Sequence, residues 1–374
     1  MGGEPLGRSA VVWASVFACL AGIAVNLWIG LRAPERGSDW NQFYSASKLA
    51  GSGHLYEYDR IRRLELQNGK IAIPFGRAPI YAAILKPLTS LPYATSRAAW
   101  LALSVLAITL FVVLWPGIPR REACMMLCWS CPLAILLSTG QDTALFLFLV
   151  AAALRLLEYQ SDFTAGLILS LCGAKFHLGL GIPVFLVARG RWRALAGGLA
   201  GAAVQVGLSF WIEGLDWPRQ LLRLSSISDF SPSPAKMPNL LGLTHWLTFN
   251  PALEAVLAFL ALVAVWVIAR NRDLHAGAAA AITAGLLASH HSYVYDCVLL
   301  LPGIMLALQA PVRPVLRSWA LVLCVPVPYL FLMQESAPLV GQIAINGFSL
   351  SLLGTLAIVC HREKMVEIRN AILA

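Results

Sequence analysis

The sequence predicts an all-α polytopic membrane protein of about twelve transmembrane segments with a long first outer loop. Three observations predict it. The 374 residues are 58% hydrophobic and only 13% charged, against about 25% charged in a soluble domain. The apolar residues fall in uncharged runs of helical length, divided by short polar breaks. The basic residues gather at alternate ends of those runs, as the positive-inside rule requires. A soluble fold of this size could not cover its surface with so few charges. The net charge of +9 is therefore a topology signal, and no nucleic-acid partner is expected.

The first run, Ala10–Leu31, follows Arg8 and is longer than a signal-peptide core. It reads as a retained helix whose N-terminus lies inside. The next runs are Ala98–Trp115, Ala123–Ser138, Thr143–Leu157, Phe163–Ala174 and His177–Ala188. Ala194–Ile212, Ala252–Ala269, Ala276–Ser289, Val294–Leu308, Val315–Met333 and Leu339–Val359 complete the set. Several fall short of the ~20 residues a full crossing needs, which is tolerated where protein or a wet cavity covers their ends. With this count, every inner connection is basic: Arg120 and Arg121, Arg155, Arg189 with Arg191 and Arg193, Arg270 with Arg272, Arg313 with Arg317, and the tail with Arg362, Lys364 and Arg369. The agreement requires that Phe163–Ala188 be two short helices broken at Lys175. Read as one helix, it would put Arg155 or the Arg189 group outside.

Two outer loops are long. Arg32–Arg97 is mixed in charge and rich in Tyr, and Gly214–Pro251 holds the turn signal Ser231–Pro234. Within the second loop, Leu240–Phe249 is too short to span and suits a re-entrant segment. No fixed-period repeat interrupts the chain, so one membrane domain is expected. The eight cysteines lie in or beside apolar runs and read as small membrane residues. Neither a disulfide framework nor a metal site follows from them.

Polar and ionisable groups at membrane depth are costly and mark function. Most fall on the predicted outer side: Asp39, Arg77, Gln141 with Asp142, Lys175 with His177, Asn239, and the stretch His290-His291-Ser292-Tyr293-Val294-Tyr295-Asp296. Such a grouping predicts one polar cavity opening outward. Each residue also has a plainer reading. Ser38-Asp39 suits a helix start, Lys175 could snorkel, and Asp142 reads as solvated. His290 and His291 suit an interfacial turn better than a metal, since neighbours on a helix diverge by about 100°.

Four segments resemble the polyprenyl-phosphate-sugar-dependent glycosyltransferases of family 87, which have the GT-C fold. The first is Ser38-Asp39-Trp40-Asn41-Gln42-Phe43-Tyr44, continuing through Gly53-His54-Leu55-Tyr56. It is similar to the family's acidic residue, aromatic pair and Gly-x-x-x-Tyr. The second is Pro74-Phe75-Gly76-Arg77-Ala78-Pro79, with Arg-Ala where the family has Tyr-Pro, followed by Leu85-Lys86-Pro87-Leu88. The third runs Thr139-Gly140-Gln141, Ala165-Gly166 and Ala174-Lys175, with Phe176 in place of the usual Pro. The fourth is Ser289–Asp296 followed by Leu299-Leu300-Leu301-Pro302. Together they reach from about Asp39 to Pro302.

The resemblance implies a sugar, mannose or a pentose, moved from a polyprenyl phosphate to a lipid or glycan acceptor. It places the active site on the periplasmic face of the cell inner membrane, among membrane lipids. Asp39 would be the general base. Lys175, His290, His291, Arg77, Gln141, Asn239, Tyr44 and Asp296 would line the substrate site. A monophosphate carrier requires no metal or cofactor. The alternative is a transporter or lipid flippase. Transporters show matched helix breaks in two repeats, and this sequence has one clear break.

Overall fold

The computed structural model describes residues 6–32, 38–69, 73–115, 119–225, 233–247, 250–309 and 314–373, and among these every regular element is helical. Ser231, Pro232, Thr248, Phe249 and Arg313 lie outside the described residues, as do the side chains of Arg8, Arg362, Lys364 and Arg369.

Helix α1 (Leu6–Arg32) is the first apolar run. The first long loop follows as α2 (Ser38–Leu49), α3 (Tyr58–Gln67), α4 (Pro79–Leu85) and a 3-10 turn at Lys86–Ser90. Its aromatic residues do not face water. Trp40, Phe43, Tyr56 and Phe75 pack with Trp100 of α5 (Tyr93–Leu114) into a second core. Trp40 and Trp100 stack at 4.9 Å between centroids. Tyr44 belongs to this core: its hydroxyl donates to the Leu91 carbonyl at 2.9 Å, and its ring meets Tyr93 edge-on at 5.3 Å.

The loop core also buries Glu65, 0% exposed, whose Oε2 accepts from Ile73 N at 2.7 Å while Oε1 has no hydrogen-bond partner. Burial pushes its pKa up to about 8, against a smaller downward pull from the Ile73 N–H. The folded value lies above the unfolded value of 4.5. The group thus favours folding fully below pH 4.5, and that contribution is lost as pH rises to about 8. Glu65→Gln should melt with the wild type at pH 5 and above it at pH 9. Equal melting at both pH values would show that Glu65 folds as the anion.

The bundle continues with α6 (Arg120–Trp129), α7 (Cys131–Thr139), α8 (Thr143–Glu158), α9 (Asp162–Ser170), a 3-10 segment at Leu171–Gly179 and α10 (Gly181–Ala188). Next are α11 (Trp192–Glu213), α12 (Trp217–Ser225), α13 (Leu240–Leu247), α14 (Pro251–Asn271) and α15 (Leu274–Ala288). A 3-10 segment at Val294–Leu300, α16 (Leu301–Gln309), α17 (Pro314–Leu323), α18 (Val327–Met333) and α19 (Pro338–Leu373) close the chain.

Among the described residues five helices are long and apolar enough to cross a membrane, and up to eight spans result if each of three bent pairs counts once. The expected figure of about twelve is not reached on length, because α15 and the Val294–Gln309 stretch are shorter apolar helices. The long helices turn large apolar side chains outward, among them Trp13, Phe17 and Leu20 on α1 and Val256, Phe259 and Leu260 on α14. A surface of that kind needs lipid as solvent, and the chain is a multi-pass membrane protein.

The break expected at Lys175 is present. Its backbone leaves helical geometry at φ −126°, ψ 53°, and the chain bends by 116° between Asp162–Gly179 and Gly181–Ala188. Glycines hold the broken segment in place. A Cβ on Gly181 would stand 2.1 Å from the Ala281 carbonyl oxygen, and one on Gly285 2.1 Å from that of Leu178. The broken segment therefore lies directly on α15, which is buried along nearly its whole length.

Candidate active site

The two ends of α8 and α15 define the two ends of the bundle. Glu158, at the end of α8, meets His275, at the start of α15, with Oε1 2.9 Å from Nε2. Thr143 starts α8 at the other end, where α15 runs out into Ser289. The charged cluster sits at this second end.

Its centre is Lys175, 4% exposed. The ammonium donates to Thr143 Oγ1 and Asp296 Oδ1, both at 2.7 Å, and lies 3.5 Å from Asp142 Oδ1. Thr143 Oγ1 donates in turn to Asp296 Oδ1 at 2.8 Å. Asp296 Oδ2 accepts from Tyr293 N at 3.0 Å, which locks the turn before the 3-10 segment. Arg77 enters from the first loop, with NH2 3.0 Å from Asp142 Oδ1 and NH1 donating to the Ala174 carbonyl. It straps the loop to the helix break. Its guanidinium also lies 5.2 Å from the Phe43 ring and 5.0 Å from the Tyr81 ring.

Asp142 is therefore not solvated, as its loop position suggests; it is 5% exposed and paired with Arg77. The physical reason is neutralisation. A carboxylate can be buried when a guanidinium and an ammonium share its charge.

Asp39 sits in the first turn of α2, 7% exposed, where a negative charge suits the helix dipole. The plainer reading of Ser38-Asp39 as a helix start is compatible with this place. Asp39 acts electrostatically on Tyr81 and Tyr295, as Arg77 does, so one neighbourhood holds it and the cluster. Gly140 makes this approach possible. It caps α7 with φ +85°, and a Cβ there would stand 2.7 Å from the Trp40 Cβ. Its carbonyl accepts from Trp100 Nε1 at 2.8 Å. Gly140→Ala therefore meets both a disfavoured φ and a clash, and should cost about 1–3 kcal/mol, measured as a lower melting temperature. A variant as stable as the wild type would mean that the loop can shift off α7 freely.

The other expected residues fall into three groups. Gln141 Nε2 donates to Tyr295 Oη at 3.0 Å, beneath the Lys175 ammonium, which lies 5.0 Å from the Tyr295 ring. His291 is half-buried, 6.0 Å from the His177 ring and 4.9 Å from the Tyr293 ring. All three rings are half-buried. Asn239 acts as an anchor: its Nδ2 donates to the Ser289 carbonyl at 2.7 Å and its Oδ1 accepts from Gly242 N at 2.9 Å. His290 points away, 85% exposed, with Nδ1 3.8 Å from Glu254 Oε1. Tyr44 remains in the loop core. Thr143 and Tyr81 complete the cluster, although no motif marked either. In the sequence Thr143 is only the first residue of an apolar run, and Tyr81 carries no signal.

Among the described residues no group of three or more His, Cys, Asp or Glu side chains is placed to hold a metal. The arrangement gathers Lys175 and Arg77, the buried carboxylates of Asp39, Asp142 and Asp296, and the half-buried imidazoles of His177 and His291 at one end of the bundle.

The fold and the cluster define a polytopic helical membrane protein with buried acids and bases gathered at one end. The family model described as glycosyltransferase family 87 matches residues 78–302. That is more than half of the chain, and the protein belongs to glycosyltransferase family 87: it is a membrane glycosyltransferase. The match takes in Gln141, Lys175, Asn239, His290, His291 and Asp296, and begins after Asp39, Tyr44 and Arg77. No curated protein and no solved structure matches the chain.

Proposed function

We propose that this enzyme moves a sugar, mannose or a pentose, from a polyprenyl phosphate to a lipid or glycan acceptor at the periplasmic face of the inner membrane. The observation that carries the reading is the convergence of Asp39, Arg77, Lys175, His177 and His291 at one end of an apolar bundle. The sidedness is supported by the opposite end, which carries Arg155, Arg189, Arg191 and Arg270, the basic excess of a cytoplasmic face.

In this reading the acceptor hydroxyl attacks the anomeric carbon, and its proton passes to the Asp39 carboxylate. The bond from that carbon to the phosphate oxygen breaks, and the electron pair leaves on the lipid phosphate. The configuration inverts. Negative charge grows on the phosphate, so fixed positive charge nearby lowers the barrier. The Lys175 ammonium already donates to Thr143 and Asp296 and lies 3.5 Å from Asp142. Lys175 therefore serves through its field and by fixing the broken helix, and His177 and His291 are the groups that touch the phosphate. Arg77 holds the first loop, and with it Asp39, against that break.

The test is transfer of label from radioactive polyprenyl-phosphate mannose or pentose by the purified chain in proteoliposomes, with membrane lipid extract as acceptor. Labelled product is expected. Labelled lipid crossing the bilayer with no new glycoside would support the transporter instead.

A further inference from the structure

The far end of the bundle holds a feature that glycosyl transfer does not use. Between the end of α10, the start of α9 and the end of α14 lies a polar basin of about 540 Å³, lined by Gln160, Asp162, Arg189, Arg191 and Arg270. Three arginines face one aspartate, so the lining carries excess positive charge.

Two of the guanidiniums are held in place. Arg189 NH1 donates to the carbonyls of Ala269 at 3.1 Å and Arg272 at 2.7 Å. Arg191 NH1 donates to Gln160 Oε1 at 2.9 Å and Asp162 Oδ1 at 3.0 Å. Burial and the neighbouring Arg191 charge lower the pKa of Arg189, against an upward pull from Asp273. Arg270 is exposed and lies 5.7 Å over the Trp266 ring. Trp192, next to Arg191 in the chain, and Trp266, one turn before Arg270, are both exposed, and exposed tryptophans beside arginines mark the depth of lipid headgroups. Fixed, planar, multi-donor cations at that depth match a phosphate oxygen set.

We propose that this basin binds a phosphate-bearing anion, through Arg191 and Arg270 on either side of Arg189. Its source is the headgroup of an anionic phospholipid or a soluble phosphate. Each basic residue near a membrane surface contributes about fivefold to the binding of anionic lipid.

The test is native mass spectrometry of the purified full chain, incubated with equal amounts of phosphatidylglycerol and phosphatidylcholine, with and without excess inorganic phosphate. Retention of phosphatidylglycerol over phosphatidylcholine is expected. Arg270→Gln should lower it about fivefold and Arg191→Gln with Arg270→Gln about 25-fold. Arg270→Gln alone keeps the test valid if the double variant folds poorly, because it leaves the Asp162 and carbonyl contacts intact. If inorganic phosphate displaces the lipid, or binds in an arginine-dependent way where the lipid does not, the site takes soluble phosphates. If the lipid stays bound, a headgroup is the occupant. Equal retention of both lipids with no arginine-dependent phosphate binding, or wild-type retention in the variants, overturns the proposal. None of these readouts depends on glycosyl transfer, so this site and the active-site reading stand or fall separately.

Discussion

Asp39→Asn should lower sugar transfer by about 10²–10⁴-fold, the range for loss of a positioned general base. Asn keeps the size and the helix-start position of Asp39 in the first turn of α2 but cannot accept the acceptor's proton. The melting temperature should change little, because the loop core rests on Trp40, Phe43 and Phe75 rather than on this carboxylate. The measurement is initial rate of transfer at saturating lipid-linked donor, with melting recorded on the same sample. Wild-type rate in Asp39→Asn would sink the base assignment while leaving family membership untouched. A matching loss of folding would instead make Asp39 a structural residue.

Lys175→Met should destabilise the protein by about 3–5 kcal/mol, the cost of leaving a buried charge without its partner. Asp296 loses its ammonium, and Asp142 keeps only Arg77. Both carboxylates are buried, so water does not replace the lost cation. Adding Asp296→Asn to Lys175→Met should recover part of the loss, since the orphaned charge is then removed. The check is unfolding of both variants in detergent. A single variant that unfolds with the wild type, or a double variant no better than the single, would show that the cluster is wetter than its burial implies. Activity should fall in both, because Lys175 also shapes the break that carries His177.

Membrane residence and the break at Lys175 were legible in the residue order. Low charge content and uncharged runs are local properties, and lipid exposure is a direct consequence of them. The requirement that Arg155 and the Arg189 group share a side forced the break, and the 116° bend agrees. Part of the cluster was legible, because polar groups in an apolar chain are few: Arg77, Lys175 and Asp296 were singled out, while Thr143 and Tyr81 were not. The roles of the polar residues were less legible. Tyr44 and Asn239 are polar residues in an apolar chain just as Gln141 is, yet the Tyr44 hydroxyl donates to the Leu91 carbonyl and the Asn239 amide to the Ser289 carbonyl.

By itself, the sequence determined that this chain lives in a bilayer, where it breaks, and which family's segments it resembles. Only the tertiary structure decided which charges meet. The pairing of Arg77 with Asp142 across 65 positions, and of Lys175 with Asp296 across 121, depends on how α2, α8, the broken segment and α15 pack. That packing turns on close backbone approaches at Gly140, Gly181 and Gly285. Hydropathy is blind to such contacts, because a glycine at a helix crossing and a glycine facing lipid read alike until the partner backbone is in place.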